Sequence, residues 1–115
     1  MTRRSARAAG EDQLDAVFHA LSDRTRRSLL QRLTQGPAKI TTLAEPFEMT
    51  LPAVSKHVRV LERAGLVERA VDGRVHRCSL NAAPLADAHA WVEHYRRFWD
   101  STLDALARFV EGEDA

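Results

Sequence analysis

The stretch TLPAVSKHVRVLERAGLVER, Thr50–Arg69, decides the fold. At roughly 3.6 residues per turn, Leu51, Val54, Val58 and Leu61 fall on one side of a helix. Pro52, Ser55, Lys56, Arg59 and Arg63 fall on the other. The first stripe suits burial in a core. The second is small and polar at its start and cationic along its length, so it calls for a different neighbour. Thr50 reads as the N-cap, Pro52 sits in the first turn where a missing N–H costs little, and Gly65 stops the helix.

Upstream, the residues prepare this helix. Residues 1–10 are rich in Ala and Arg without periodicity and read as a disordered basic arm. Its Arg3, Arg4 and Arg7 either stay disordered, the reading we prefer, or enter a minor groove. A first helix is predicted over Asp12–Leu21, with Leu14, Val17, Phe18 and Leu21 on one face. Ser22 and Asp23 are candidate caps for a second, Arg24–Leu33, with Leu29, Leu30 and Leu33 inward, ended by Gly36-Pro37. Thr42 and Glu45 have capping-box spacing for a third helix, which Pro46 keeps short or bent.

Downstream, Leu66–Val71 and Arg74–Leu80 are β-capable runs joined by Asp72-Gly73, a strong hairpin signal because both central positions favour positive φ. Pairing puts Val67, Arg69, Arg74, His76 and Cys78 on one face, with Val75 and Arg77 on the other. A last helix spans Asn81 to about Val110, its stripe running through Leu85, Ala88, Val92, Tyr95, Trp99, Leu106 and Phe109 and widened by Trp91 and Phe98. One domain, residues 11–111, is thus flanked by the arm and an acidic tail, 112–115.

Composition agrees with a single folded domain: 115 residues, 44% hydrophobic and 29% charged. No apolar run reaches the ~18 residues of a membrane span, and the N-terminal arginines precede no apolar segment, so a cytoplasmic protein without membrane contact is expected. One cysteine excludes an internal disulfide framework. The net charge of +1 hides an asymmetry. Residues 1–80 carry 14 Lys/Arg against 9 Asp/Glu, and residues 81–115 carry 3 against 7. A basic body with an acidic tail suits a polyanion that meets only part of the molecule.

Short helix, tight turn and capped second helix make a helix-turn-helix, and the hairpin adds a wing. The fold class expected is therefore mainly α with a β-hairpin wing. Such a helix anchors by its apolar face while its N-terminal residues reach base edges in a major groove about 12 Å wide. The DNA-facing set is Thr42, Thr50, Pro52, Ala53, Ser55, Lys56, His57, Arg59, Arg74 and Arg77. His57, at the edge between the two faces, reaches either a phosphate or the core.

These pieces resemble the ArsR (arsenical-resistance repressor) family of winged-helix bacterial regulators. The resemblance is carried by FHALSDRTRRSLLQRL at 18–33, TLAEPFEMTLPAVSKHVRVLERAGLVER at 42–69 and DGRVHRCSLN at 72–81. It implies a homodimer through the first and last helices, with Leu14, Val17, Phe18, Trp91, Val92, Tyr95, Phe98, Trp99, Leu103 and Leu106 at the interface. It also implies a recognition helix in each of two successive major grooves, and the mechanism expected is repression by occluding a promoter at an inverted-repeat operator of double-stranded DNA. Arg24 stands where the family often has Pro, Pro46 is unusual in the third helix, and Cys78 replaces a common wing aromatic.

Metal sensing by thiolates, found in relatives, fails on count: one Cys per chain cannot build the site. The family's other metal site, which lies across the paired last helices, is half matched by Asp87, His89, Asp100 and Asp104, and solvent-facing polar residues are the preferred reading. No metal or cofactor is expected. A redox role for Cys78 and an inducer pocket at Trp91, Tyr95, Phe98 and Trp99 are weaker alternatives to core packing. Catalysis is not expected: Cys78 and His76 share a strand face, but nothing orients the imidazole. A protein-binding winged helix is the remaining alternative, disfavoured by the cationic Lys56, Arg59 and Arg63.

Overall fold

The computed structural model describes residues 6–113. In chain order it contains α1 (Ala6–Leu21), α2 (Arg24–Leu33), β1 (Ala38–Lys39), α3 (Ile40–Ala44), α4 (Leu51–Arg63), β2 (Val67–Asp72), β3 (Val75–Leu80) and α5 (Ala83–Glu113). The strands form one antiparallel sheet in the order β1-β3-β2. Helices α1 to α4 close over one core made by Val17 and Ala20, Leu29, Leu30 and Leu33, Leu43, and Val54, Val58 and Leu61. Leu66, Val67 and Cys78 of the sheet side and Ala88 of α5 complete it.

Helix α1 starts at Ala6, so residues 6–10 are not part of an arm. Alanines at 6, 8 and 9 are strong helix formers and extend the helix through Gly10. Arg3 and Arg4 lie outside the described residues, as does the side chain of Arg7. At the other end α5 runs on through residues 112 and 113, which the sequence places in a tail. The acidic ending does not stop the helix, since neither Gly112 nor the carboxylates remove a backbone donor.

The α3 capping box does not form. Lys39 is the N-cap of α3 and makes no side-chain cap bond, which leaves Thr42 inside the helix. The cause is β1: Ala38 pairs with Cys78 and Lys39 with Arg77, so the chain passes straight from strand into helix. As Pro46 requires, α3 is short, five residues. The hairpin forms as the sequence indicates, but its pivot is one residue later. Asp72 pairs with Val75, and the turn residues are Gly73 and Arg74. Only Gly73 has positive φ, at 60°, which is the type II′ arrangement with Gly first. Arg74 is therefore at the tip.

Gly65, at φ 76°, closes α4. A Cβ there would meet Gln13 Nε2 and Pro84 Cγ at 3.4 Å each, an ordinary contact, so it is the positive φ that favours glycine. The corner is held by Gln13 Nε2 donating to Ala64 O at 2.6 Å and Asn81 Nδ2 donating to Gly65 O at 2.9 Å. These bonds bring the start of α5 against α1 and the end of α4.

Beyond Ala88, α5 leaves the core. Residues 89–112 are all exposed, including Trp91 at 49%, Phe98 at 66% and Trp99 at 68%. The Cα radius of gyration is 19.6 Å, against about 13 Å for a compact chain near this length. Among the described residues no helix is long and apolar enough to cross a membrane.

Candidate nucleic-acid interface

Helix α4 is built for presentation. Thr50 is extended at φ −68°, ψ 154°, and its hydroxyl accepts from Ala53 N at 3.3 Å. Val54, Val58 and Leu61 are 0–1% exposed and anchor the helix. Thr50, Pro52, Lys56 and Arg59 are exposed, and Ala53 and Ser55 half-buried. Leu51 is the exception on the apolar stripe. It is 44% exposed and lines an open groove with Ile40 of α3. Thr42 is half-buried in the interior of α3, and its neighbour Thr41 is the exposed hydroxyl.

The basic side chains divide into two groups. Arg26 is 8% exposed, and its Nε and NH2 donate to Ala20 O at 2.8 Å and His19 O at 3.0 Å. Its NH1 lies 3.2 Å from His57 Nδ1. A guanidinium only donates, so in the neutral ring His57 Nδ1 is the acceptor of this contact. His57 is thus engaged inward, with Asp23 Oδ2 at 3.8 Å from the same nitrogen. Arg69 is the second internal arginine. It donates twice to Glu62 Oε1, at 3.0 and 2.6 Å, and approaches His76 Nδ1 at 3.2 Å, joining α4 to both wing strands.

By contrast, Lys56, Arg59, Arg63, Arg74 and Arg77 are exposed and make no hydrogen bond or ion pair among the described residues. Lys56 and Arg59 extend from α4, and Arg74 and Arg77 from the wing. Arg26 and Arg69 were not singled out as structural by the sequence. A buried arginine and a solvated one have the same periodicity, and only the carbonyls and carboxylate that receive them tell the two apart.

Asp23 caps α2 by accepting from Arg26 N at 3.0 Å. That bond holds its carboxyl below the usual carboxylate range against a smaller opposing effect of burial, with His57 and Arg26 adding to the lowering. The folded value lies below the unfolded one, so the stabilisation is present above about pH 4 and lost as pH falls through the folded value. Asp23→Ala is expected to cost about 0.5–2 kcal/mol at neutral pH, and the cost should shrink as pH falls through the folded value, as read by urea unfolding.

The remaining candidates separate cleanly. Val17 is 0% exposed inside the chain, so it is core and not available to a partner. Leu14 is half-buried against that core, and Phe18, 36% exposed, packs edge-on against Trp91 at 5.5 Å between ring centroids. Trp91, Val92, Tyr95, Phe98, Trp99, Leu103 and Leu106 form one exposed row on α5. Within one chain Asp87 and Asp100 are about 20 Å apart along α5, so the half-matched metal pattern would need the α5 of a second copy. His89 pairs with Glu93 at 3.9 Å, Asp100 pairs with Arg96 at 4.0 Å, and no three metal-ligating side chains converge among the described residues. Cys78 is fully buried, and burial pushes its thiol up, the opposite of what a reactive thiolate needs.

A capped helix with an exposed cationic face, set beside a wing with its own unpaired arginines, defines a winged helix-turn-helix DNA-binding protein. The family model for a helix-turn-helix domain matches residues 21–70. The chain is 33% identical over 99 residues to the HTH-type transcriptional regulator Rv2034 of Mycobacterium tuberculosis, covering 86% of this chain and 90% of that protein. It is 31% identical over 90 residues to the transcriptional repressor SdpR of Bacillus subtilis, covering 78% and 100%. The crystal structure of an ArsR family transcriptional regulator superposes with TM-score 0.74 at 37% identity, over 88% of this chain and 98% of that one. The homodimeric winged helix-turn-helix domain of Mb0332 from Mycobacterium bovis matches at TM-score 0.64 and 27% identity, over 85% and 94%. The chain belongs to the ArsR family of transcriptional regulators, and its relatives are regulators rather than enzymes.

Proposed function

We propose that this regulator is a cytoplasmic homodimer that sets its two α4 helices into successive major grooves of an inverted-repeat operator and represses by occluding a promoter. The observation that carries this reading is the division of its cations. Arg26 and Arg69 are bound internally, while Lys56, Arg59, Arg74 and Arg77 are exposed without partners among the described residues. Unpaired guanidinium and ammonium groups beside a helix that reads base edges suit the phosphates flanking those edges. Thr50, Ala53 and Ser55 let the backbone approach, Lys56 and Arg59 reach bases or phosphates, and Arg74 and Arg77 hold the adjacent backbone. His57 acts mainly as internal support.

The dimer reading rests on the exposed apolar row of α5, a surface that a monomer rarely leaves open. It is also supported by the homodimeric Mycobacterium bovis neighbour. A two-fold pair joined through α5 presents two reading helices about one DNA turn apart, ~34 Å. The test is selection of bound duplexes from a random library at moderate salt. An inverted repeat with half-sites one turn apart is the expected result; enrichment without symmetry refutes the dimeric reading. On that operator, Lys56→Ala or Arg59→Ala should weaken binding by about 1–3 kcal/mol where a base contact is lost. Where only a phosphate is lost, the slope of log K against log salt should shrink by about 2, one contact from each protomer.

A further inference from the structure

We propose that Leu51 reads the C5-methyl group of a thymine in each operator half-site, which makes it a specificity-determining residue rather than part of the core. This inference rests on the DNA-binding reading above and names what the first turn of α4 recognises. Leu51 opens the recognition helix and is 44% exposed, whereas Val54, Val58 and Leu61 on the same stripe are 0–1% exposed. It lines a groove of about 390 Å³ with Pro52, Ser55 and Arg59 of α4, Ile40 at the start of α3, and Arg69 and His76 of the wing. Apolar walls from Ile40, Leu51 and Pro52 therefore meet a polar, cationic rim.

The chemistry of this mouth selects its occupant. The rim, with the unpartnered Arg59 and the adjacent exposed Lys56, matches a polyanion and disfavours a cationic or purely apolar partner. A leucine neither donates nor accepts a hydrogen bond, so it cannot distinguish the polar edges of guanine, adenine or cytosine. The apolar group that a B-DNA major groove displays on its base edges is the thymine methyl. Helix N-terminal residues are the ones that contact those edges. An apolar side chain held in water at that position gains by covering a methyl, and Pro52 beside it, without an N–H, offers no competing donor.

The experiment uses the full chain and the duplex enriched by selection, with each thymine replaced singly by deoxyuridine, which removes only the methyl. Affinity is read by fluorescence anisotropy at fixed salt for the wild type, Leu51→Ala and Leu51→Met. One thymine per half-site should show about a fourfold loss on replacement in the wild type, the value of one buried methyl or methylene group. Leu51→Ala should bind the thymine and uracil duplexes within twofold of each other, while Leu51→Met keeps the preference. The proposal is overturned if no thymine shows methyl dependence in the wild type, or if Leu51→Ala retains it in full. Either of those results leaves the DNA-binding reading intact, because a symmetric operator has then already been recovered. Failure to enrich any duplex overturns both readings together.

Discussion

Trp99→Glu should convert the protein from a dimer into a monomer in sedimentation velocity at micromolar concentration. Trp99 is 68% exposed in the chain by itself, midway along a 31-residue helix about 46 Å long. Only the first turns of that helix touch the core, through Leu85 and Ala88. Phe98, Leu103, Leu106 and Phe109 continue the apolar row toward the end, each at 57–66% exposure. A second copy is the simplest cover for such a row, because a two-fold axis lays the same stripe against itself. Symmetry also doubles the effect of any substitution. Loss of a buried tryptophan contact costs about 3–5 kcal/mol, and a carboxylate placed in the same contact adds desolvation. Two copies per interface are enough to raise a nanomolar dissociation constant beyond the micromolar range. The monomer should also lose helical ellipticity from the far half of α5, since unsupported helix is marginal in water. Affinity for the full operator should fall to that of one half-site. A dimer of wild-type stability would place the interface elsewhere.

How much of this was legible in the sequence differs by element, and the differences have physical causes. Helix α4 and its cap were readable because Thr50, Pro52 and Gly65 act locally, each through its own backbone. The division of its two faces was readable for the same reason, with Leu51 as the failure. Periodicity assigns a side but not the extent of its cover, and at the first turn Leu51 is left 44% exposed beside an open groove. The β1 strand, Ala38–Lys39, was invisible: two residues carry no period, and their pairing with Cys78 and Arg77 is set some forty positions away. The same strand explains why Thr42 and Glu45, correctly spaced for a capping box, do not form one. A local signal lost to a long-range constraint. Val17 shows the converse. It shares a stripe with Phe18, but only the arrangement of α1, α2 and α4 decides that Val17 faces inward and Phe18 meets Trp91.

Arg26→Met should lower the stability of the fold by about 2–4 kcal/mol in urea unfolding, the largest effect expected from a single change at a charged residue. The α1–α2 corner explains the magnitude. Helix α1 ends at Leu21 and leaves its last carbonyls without intrahelical partners. Arg26 supplies donors to two of them, His19 O at 3.0 Å and Ala20 O at 2.8 Å. Ser22 Oγ also donates to His19 O, and Arg27 NH1 to Leu21 O, but Ala20 O depends on Arg26 among the described residues. The same guanidinium lies 3.2 Å from His57 Nδ1, so it links the end of α1 to the middle of α4. Methionine preserves much of the stem volume and removes every donor, leaving a nearly buried carbonyl unsatisfied and the cationic partner of the α1 C-terminus missing. Arg26→Lys should recover part of the loss, since an ammonium keeps the charge but cannot span His19, Ala20 and His57 at once. The consequence for function follows from the His57 contact. With α4 no longer tied to α1 through that ring, DNA affinity should fall even at temperatures where the variant is fully folded. If Arg26→Met unfolds within about 0.5 kcal/mol of the wild type, the α1–α2 corner is held by packing alone and Arg26 is only a buried spectator.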